Sequence, residues 1–461
     1  MKPLHAEKPA AAALSLYVET YGCQMNEYDS GLVCSILGEE GFDSVPTPEQ
    51  AGVILLNTCA IREKAHEKVF NRLSALAHLK RRNPGTVIGV LGCMAQNLGD
   101  DLFAMGLPVD FMLGPDNYRE LPRVIQNIRS GAEAGISITQ LSRSETYADL
   151  APRVVSGCLA FVTIMRGCDN FCSFCVVPYT RGRERSRSVE SIVSEVNDLV
   201  ESAGVKEVTL LGQNVNSFRF EGLYFVDLIR SILRETSIER IRFTSPHPHD
   251  FPEELMELMA AEPRFCSHVH LPLQSGSSAV LERMRRDYTR EDYLRLLRTM
   301  RNMVPDLGVS TDIIVGFCGE SEAEFEETLS LVEEARYDMA FMFRYSEREL
   351  TYARKNLPDD VAEPVKLQRL ERLIEVQTRI SQAKNADLVG KSYAVLVEGR
   401  SRRSALELMS RTASNKVVIF PVPEGESPEA CMGRTFEVVI TGSSAATLRG
   451  ELRQPVGAAR D

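Results

Sequence analysis

The chain has 461 residues, of which 44% are hydrophobic and 25% are charged, and this composition excludes an intrinsically disordered protein. The net charge of −11 argues against a nucleic-acid partner unless the basic residues cluster. No apolar run reaches the roughly 18 residues of a membrane helix, and residues 1–14 are expected to be a frayed terminus and not a signal peptide. We therefore expect a cytoplasmic protein of two to four domains without a membrane partner.

The first predicted domain covers residues 14–143. A helix predicted at 61–79 places one apolar face toward a core, formed by Ala65, Val69, Leu73, Leu76 and Leu79. Strand-like apolar runs alternate with such helical stretches at 16–21, 53–56, 87–91 and 111–113. This alternation predicts an open parallel α/β sheet with helices on its faces. The polar stretch 142–156 is predicted to be a linker.

The second and third predicted domains cover residues 157–383 and 387–452. Six strand candidates alternate with helices in the second, at 160–165, 207–211, 240–244, 268–273, 309–315 and 339–344. They predict a partial (βα)6 barrel, closed by a helix at 366–383. In the third, short strands at 395–397, 417–420 and 435–440 are separated by Gly, Ser and Pro. They predict a small antiparallel β-barrel.

Three cysteines follow the first barrel strand at a CxxxCxxC spacing: Cys168, Cys172 and Cys175. One compact loop of this kind can place three thiolates on three irons of a cubane cluster and leave the fourth iron open for another ligand. A structural zinc site is the alternative, but it usually takes four protein ligands and CxxC pairs.

A second cysteine triad has a shared context, because Cys23, Cys59 and Cys93 each lie just beyond the carboxyl end of a predicted parallel strand. These strand ends meet along one edge of an open sheet, where ligands bind. The triad therefore predicts a second three-cysteine cluster site. The alternative is three buried core cysteines, since cysteine is often buried.

The CxxxCxxC loop resembles the signature of the radical S-adenosylmethionine (SAM) superfamily. The two triads together resemble the methylthiotransferase family, whose tRNA branch is similar to this chain at 20–30 (TYGCQMNEYDS), 57–65 (NTCAIREKA), 175–182 (CVVPYTRG) and 211–216 (LGQNVN). The resemblance implies two 4Fe–4S clusters and SAM as cofactors, with the chemistry at the clusters and no side-chain acid or base. It also implies SAM contacts at Phe174, Gly212, Gln213, Asn214, Ile314 and Gly316.

The function that the resemblance implies is methylthiolation of C2 of N6-isopentenyladenosine at tRNA position 37, beside the anticodon. Two SAM molecules would be used, one to methylate sulfur and one to supply the radical that removes hydrogen from C2. An electron donor of the flavodoxin or ferredoxin type and a monomeric chain are expected. The alternatives are a threonylcarbamoyladenosine tRNA or a ribosomal protein as substrate, or a non-catalytic iron–sulfur regulator that binds RNA.

The basic residues cluster in the last segment, where 400–416 contains five of them and one acidic residue, Glu407. This stretch resembles the TRAM domain, an RNA-binding barrel, and implies tRNA contacts at Arg400, Arg402, Arg403, Arg411 and Lys416. A second basic run, Arg181 to Arg187, is the alternative contact. The tRNA base to be modified must also leave its stack to reach the SAM site.

Five further cysteines have no partner pattern. Cys318 stands where the methylthiotransferase family usually has Pro, and we expect it to change a loop and not to add a ligand. The family's Pro-Gly near residues 345–350 is also missing here. The remaining four are expected to be core or incidental residues, namely Cys34, Cys158, Cys266 and Cys431.

Overall fold

The computed structural model describes residues 14–60, 63–131, 135–150, 152 and 157–453. The expected frayed start at 1–13 and residues 151 and 153–156 of the predicted linker lie outside the described residues. Among the described helices, none is both long and apolar enough to cross a membrane. The predicted three-domain boundaries stay a prediction.

The chain forms two compact units that alternate along its middle. The first contains Met1–Val154, Met165–Asp169 and Val176–Arg187. The second contains Val155–Ile164, Asn170–Cys175 and Ser188–Asp461.

The first unit is built on a six-stranded sheet of order β2-β1-β3-β4-β5-β6 in which all neighbours are parallel. Its strands are β1 Ser15–Thr20, β2 Asp43–Ser44, β3 Val53–Thr58, β4 Val87–Gly92, β5 Phe111–Leu113 and β6 Ile136–Ile138. Its helices up to this point are α1 Gln24–Glu39, α2 Glu63–Arg82, α3 Cys93–Leu98, α4 Asp101–Ala104 and α5 Leu121–Arg129. The predicted open parallel sheet is confirmed.

Burial explains why the central strands were readable from the sequence. Every residue of β3 and β4 is buried, as expected for parallel strands that are covered on both faces and therefore read as continuous apolar runs. The predicted face of α2 is also buried at Val69, Leu73, Leu76 and Leu79, whereas the side chain of Ala65 lies outside the described residues. The edge strands β2 and β6 were missed because they are only two and three residues long.

The segment that contains the CxxxCxxC loop crosses between the units. Its elements are β7 Leu159–Thr163, β8 Met165–Arg166, α6 Val177–Thr180 and β9 Arg185–Ser186. Strand β7 belongs to the second unit, and the other three belong to the first. The single strand predicted at 160–165 is therefore wrong at its end, because Met165 starts a separate antiparallel ribbon with β9.

The second unit begins with two three-stranded parallel sheets, of order β13-β10-β7 and β14-β15-β16. Its further strands are β10 Glu207–Leu211, β11 Arg219–Phe220, β12 Leu223–Tyr224, β13 Arg240–Phe243, β14 His268–His270, β15 Gly308–Val315 and β16 Met339–Arg344. Its helices are α7 Val189–Ala203, α8 Phe225–Glu235, α9 Glu253–Ala261, α10 Ser278–Arg283, α11 Arg290–Met303, α12 Glu322–Ala335, α13 Tyr352–Asn356 and α14 Glu363–Ala386. All six predicted strands are present, which confirms the partial (βα)6 architecture.

Two helices of this unit begin at side chains that accept hydrogen bonds from the first amide groups of the helix. Helix α11 begins with a reciprocal pair in which Thr289 accepts from the amide of Asp292 and the Asp292 carboxylate accepts from the amide of Thr289. Helix α12 repeats the arrangement with Ser321 and Glu324. Such caps fix the direction in which each helix leaves its strand.

The chain ends in a closed five-stranded barrel of order β17-β18-β19-β21-β20. Its elements are β17 Ser392–Arg400, β18 Glu407–Thr412, β19 Val417–Pro421, α15 Pro428–Cys431, β20 Thr435–Ser443 and β21 Leu448–Leu452. The predicted small barrel is confirmed, but it is not wholly antiparallel, because the pair of β19 and β21 is parallel. Strand β18 was missed since its buried positions include the polar residues Ser410 and Thr412.

Candidate cysteine centres

The first unit brings Cys23, Cys59 and Cys93 to one edge of its sheet. Strands β1, β3 and β4 are neighbours, with Thr20 beside Asn57 and Thr58 beside Gly92. Cys59 and Cys93 are the next residues after this last pair, and Cys23 follows Thr20 by three positions. The parallel register therefore gathers three sulfurs that are 36 and 34 positions apart in sequence.

Two glycines allow the three loops to approach each other closely. Gly22 has φ +138°, and a Cβ added there would lie 2.6 Å from the Cβ of Cys59. Gly92 has φ +88°, and its Cβ would lie 2.5 Å from Oδ1 of Asn57 and 2.6 Å from the carbonyl oxygen of Thr58. Any larger residue would push the cysteine loops apart.

A buried amide pair fixes the loop after Cys23. Nδ2 of Asn26 donates to Oδ1 of Asn57 and to the carbonyl of Thr58, both at 3.1 Å, while Nδ2 of Asn57 donates to the carbonyl of Asn26 at 2.8 Å. The Cys23 thiol donates to Oδ1 of Asn26 at 3.4 Å. Because both amides are fully buried and bonded, the loop has one favoured conformation.

An arginine approaches the third cysteine from within the same unit. Nε of Arg181 donates to Sγ of Cys93 at 3.2 Å, and its Nη2 donates to Oδ2 of Asp29 at 2.8 Å. The other carboxylate oxygen of Asp29 accepts from Nη2 of Arg166 at 2.5 Å. Asp29 is 0% exposed, so one buried carboxylate holds two guanidinium groups.

The surroundings of the triad favour the thiolate form of Cys23 and oppose that of Cys93. A hydrogen bond with Cys59 and the nearby charge of Arg181 lower the pKa of Cys23 to about 6. Burial raises the pKa of the Cys93 thiol, although Arg181 acts against that effect. A bound cation would favour the thiolate at all three positions, since metal ligation requires it.

The donor set fits an iron–sulfur cluster. The described residues at this edge include three cysteine sulfurs and the buried cation of Arg181, and the carboxylate of Asp29 is bonded to two arginines. A cubane bonds each of three cysteines to a different iron, so one such triad can hold one cluster.

The CxxxCxxC loop is divided between the units, with Cys168 in the first and Cys172 and Cys175 in the second. In the first unit, the amide of Cys168 donates to the carbonyl of Gly182 at 3.1 Å. The preceding Gly167 has φ +82°, and a Cβ there would lie 2.0 Å from the carbonyl oxygen of Arg183. This glycine is therefore required for the chain to enter the loop.

In the second unit, the loop is fastened to the end of α10. The amide and the hydroxyl of Ser173 donate to the carbonyls of Met284 and Arg283 at 2.9 and 2.7 Å. Nη1 of Arg286 donates to Sγ of Cys172 at 3.3 Å. Each cysteine triad thus has an arginine at one sulfur, which the sequence patterns did not predict.

Phe174 and Ile314, two predicted SAM contacts, pack against one small core of the second unit. Its buried members are Val280, Met284, Phe317, Cys318, Tyr345 and Ala353. The rings of Phe174 and Phe317 meet edge to face, with centroids 6.5 Å apart. Cys318 is thus a core residue under the loop, and the expectation that it adds no ligand stays a prediction. Cys158, Cys266 and Cys431 are also buried, while Cys34 is half-buried.

The other predicted SAM contacts lie at the carboxyl ends of β10 and β15. Gly212 and Asn214 are buried and Gln213 is half-buried, and Oδ1 of Asn214 accepts from the amide of His247 at 3.2 Å. Gly316 has φ +70° and donates its amide to Oε2 of Glu320 at 2.6 Å. Their positions agree with the strand-end argument, whereas contact with SAM stays a prediction.

One face of the β14-β15-β16 sheet carries residues that the sequence did not single out. Along the edge strand β16, Met339, Phe341 and Phe343 are exposed by 39–43%. The ring of His270 lies 5.8 Å from that of Phe341 and bonds Ser310 and Asp312 on β15. Since Phe343 is in register with Ile314, this apolar row continues toward a predicted SAM contact.

The predicted RNA contacts separate into two groups. Arg402 and Arg403 are exposed between β17 and β18, and the exposed Arg400 pairs with Glu429. Arg411 instead binds Glu398, and Lys416 binds Asp338 and Asn385, so both are committed to contacts inside the unit. In the alternative run, Arg181, Arg185 and Arg187 are buried, so it does not form a basic surface.

Three protein families match consecutive parts of the chain. Residues 15–114 match Uncharacterized protein family UPF0004, residues 162–332 match the Radical SAM superfamily, and residues 387–452 match the TRAM domain. A solved structure with a similar fold is the radical S-adenosylmethionine methyltransferase TsrM from Kitasatospora setae, with cobalamin and a [4Fe-4S] cluster bound. It is 17% identical, has a TM-score of 0.56, and the match covers 74% of this chain and 77% of TsrM. These likenesses define the class, a radical SAM protein with a terminal TRAM domain.

Curated relatives are similar over nearly their whole length. The tRNA-2-methylthio-N(6)-dimethylallyladenosine synthases of Phocaeicola vulgatus and Bacteroides thetaiotaomicron are each 47% identical to this chain, with 95% of both sequences covered. The synthase of Porphyromonas gingivalis is 47% identical over 95% of this chain and 94% of its own. The chain therefore belongs to the tRNA-2-methylthio-N(6)-dimethylallyladenosine synthase family.

Proposed function

We propose that this chain methylthiolates C2 of N6-dimethylallyladenosine, the isopentenylated adenosine at tRNA position 37, using two SAM molecules and two 4Fe–4S clusters. The observation that carries the proposal is the meeting of Cys23, Cys59 and Cys93 at one sheet edge of a chain that also has the CxxxCxxC loop. Fold alone would not distinguish this activity from other radical SAM reactions. The additional triad supplies the second centre that sulfur insertion requires.

The proposal assigns Cys168, Cys172 and Cys175 to the SAM-binding cluster and the other triad to the sulfur-donating cluster. When bound, these groups supply reductive cleavage of SAM and a site for sulfur. The protein's part is to orient them. Ser173 anchors the loop through two hydrogen bonds, and Phe174 is held by packing against Phe317.

The substrate base needs a surface within reach of SAM, and the apolar row on β16 fits it. Phe341 and Phe343 offer exposed aromatic faces, and Met339 extends the row away from Ile314. A dimethylallyl group has no polar atom, so it is suited to this surface, whereas a threonylcarbamoyl group carries a carboxylate. The row thus favours the prenylated adenosine over that alternative. The bases of an anticodon loop are also easier to extrude than those of a duplex.

Arg402 and Arg403 are the residues through which we propose that the terminal barrel contacts tRNA phosphates. They are exposed, and no acidic residue lies between Arg400 and Ala405. Arg411 and Lys416 instead stabilise the barrel. Their segment also accepts hydrogen bonds from Arg242 at the carbonyls of Thr412 and Ala413, at 2.7 and 2.9 Å.

The remaining expectations belong to the same proposal. A tRNA-modifying enzyme of this kind would act in the cytoplasm, as a monomer, with electrons from a flavodoxin or ferredoxin. The three functional segments are 14–143 for the sulfur-donating centre, 157–383 for SAM chemistry and 387–452 for RNA. A ribosomal protein substrate would not need the apolar row on β16 to bind a prenylated base. A non-catalytic regulator would not need the SAM loop.

The decisive experiment separates the two centres. Replacing Cys23, Cys59 and Cys93 together by Ala should abolish methylthio product and leave 5′-deoxyadenosine formation from SAM and dithionite intact. Replacing the other triad should abolish both. The matched control is Cys34→Ala, a cysteine outside both triads. Loss of 5′-deoxyadenosine in the first variant while its SAM cluster is retained would contradict the division of labour.

A further inference from the structure

One buried arginine of the second unit, Arg286, has no acidic partner among the described residues. It is 8% exposed, and its hydrogen bonds go to the sulfur of Cys172, the hydroxyl of Tyr288 and the carbonyl oxygen of Pro272. Burial raises the pKa of Tyr288, so that hydroxyl stays neutral. A buried cation is costly without an anion. Of the three partners, the sulfur of Cys172 is the one that becomes an anion when it ligates a metal.

A short turn after α10 brings this arginine to the CxxxCxxC loop. Two consecutive carbonyl groups of the turn accept the hydrogen bonds of Ser173. The next residue, Arg285, has φ +56°, a left-handed value that is uncommon for a residue with a Cβ. Its guanidinium carbon lies 3.5 Å from the ring centroid of Tyr352 and thus away from the loop, whereas the side chain of Arg286 reaches Cys172. The same turn therefore holds the loop through its backbone and places a positive charge on one of its sulfurs.

The guanidinium group of Arg286 is fixed in orientation by its other two nitrogens. Nε donates to the hydroxyl of Tyr288 at 3.1 Å, and Nη2 donates to the carbonyl of Pro272 at 3.4 Å. The hydroxyl of Tyr288 is itself held, since it donates to the carbonyl of Leu273 at 2.8 Å. A guanidinium is planar and rigid, so two fixed nitrogens also fix the third. Nη1 is therefore directed at Sγ of Cys172, to which it donates at 3.3 Å.

We infer that Arg286 is a positioning residue that supplies a counter-charge to the SAM-binding cluster through the thiolate of Cys172. This inference rests on the proposed function, because it requires a cluster at the CxxxCxxC loop. A hydrogen bond and a positive charge at a ligating sulfur favour the state that has accepted one electron, which carries more negative charge, and so raise the reduction potential. Arg286 therefore makes this cluster easier to reduce, and reduction has to precede the cleavage of SAM.

The test uses the full chain with Cys23, Cys59 and Cys93 replaced by Ala, so that any remaining iron belongs to the CxxxCxxC loop. In this background Arg286→Gln, which keeps a donor but removes the charge, should lower the midpoint potential of the cluster. The potential is measured without SAM, by a redox titration with dithionite followed by electron paramagnetic resonance. Arg286→Lys, which keeps the charge without the planar group, should give a potential between that of Arg286→Gln and that of the parent.

The matched control is Arg285→Gln, at the adjacent exposed arginine that stacks on Tyr352, and it should leave the potential unchanged. Four outcomes would overturn the inference: an unchanged potential in Arg286→Gln, equal potentials in the Gln and Lys variants of Arg286, an equal shift in Arg285→Gln, or loss of iron from both Arg286 variants. Loss of iron from Arg286→Gln alone would support a role for the charge. Absence of iron in the parent background would instead overturn the proposed function.

Discussion

Gly92 lies so close to Thr58 on the neighbouring strand that a side-chain carbon at position 92 would be 2.6 Å from the carbonyl oxygen of Thr58. Gly92→Ala should therefore separate the loops that carry Cys59 and Cys93. The positive φ alone costs about 1–3 kcal/mol for a residue with a Cβ. We expect reconstituted iron to fall from about eight to about four per chain, because one cubane of four is lost.

Gly99→Ala is the control for this substitution. Gly99 also has a positive φ, +51°, but no atom of the described residues outside its immediate chain neighbours lies within 4 Å of an added Cβ. It should retain about eight irons. Equal iron contents in the two variants would show that the close approach at Gly92 does not hold the cysteine loops together.

Charge reversal in the terminal barrel tests the tRNA contact. Arg402→Glu with Arg403→Glu removes two attractive charges and adds two repulsive ones, so binding should weaken at least tenfold and depend less steeply on salt. Filter binding at two salt concentrations measures both effects. Arg379→Glu with Arg295→Glu makes the same charge change at exposed positions on α14 and α11, and tRNA affinity should change far less. Similar losses of tRNA affinity in both double variants would show that the effect comes from the net charge of the protein and not from contacts at Arg402 and Arg403.

The apolar row on β16 is tested by a change that retains its strand. Phe341→Ser should raise KM for tRNA carrying N6-dimethylallyladenosine by about tenfold, which corresponds to about 1.4 kcal/mol. SAM cleavage without tRNA should be unaffected. Leu367→Ser, at an exposed apolar residue of α14, is the control, and its KM should be unchanged. An unchanged KM in Phe341→Ser would exclude this row from substrate binding.

Glu320 gives a prediction for pH. Its side chain is buried and binds Arg369 at 3.0 Å, and burial raises its pKa to about 7 from the ordinary 4.5. Between these values the folded chain holds a proton that the unfolded chain has released, so this group's stabilising effect is full below about pH 4.5 and is lost as pH rises through 7. Relative to Glu320→Gln, the wild type should lose roughly 1.4 kcal/mol for each pH unit in this window. Thermal unfolding of both proteins at pH 5.5 and 7.5 measures the difference, and parallel changes would contradict the prediction.

Much of the architecture was visible in the sequence because the central strands are covered on both faces. Strands such as β3 and β10 are short apolar runs between turn residues, so their positions could be predicted within one or two residues. The barrel strand β18 could not, since Ser410 is buried through a hydrogen bond to the carbonyl of Val418 and not through hydrophobicity.

The cysteine positions were equally readable, because spacing and strand ends are local signals. The charged residues that contact these cysteines could not be predicted from the sequence. Arg181 looks like part of a basic surface in sequence, and its burial depends on Asp29, which is 152 positions away. Ion pairs between residues so far apart in sequence depend on the tertiary structure, and they produce no periodic pattern in the sequence.

The alternation of the two units along residues 155–187 has a consequence for synthesis of the chain. The first unit is complete only when Val176–Arg187 has left the ribosome, because Arg166 and Arg181 must reach Asp29. A fragment ending at residue 154 would bury that carboxylate without either partner, a defect of roughly 3–5 kcal/mol. The first unit therefore cannot finish folding before the segment that contains Arg166 and Arg181 has been synthesised. Truncation or domain exchange at the predicted linker should yield an unstable protein.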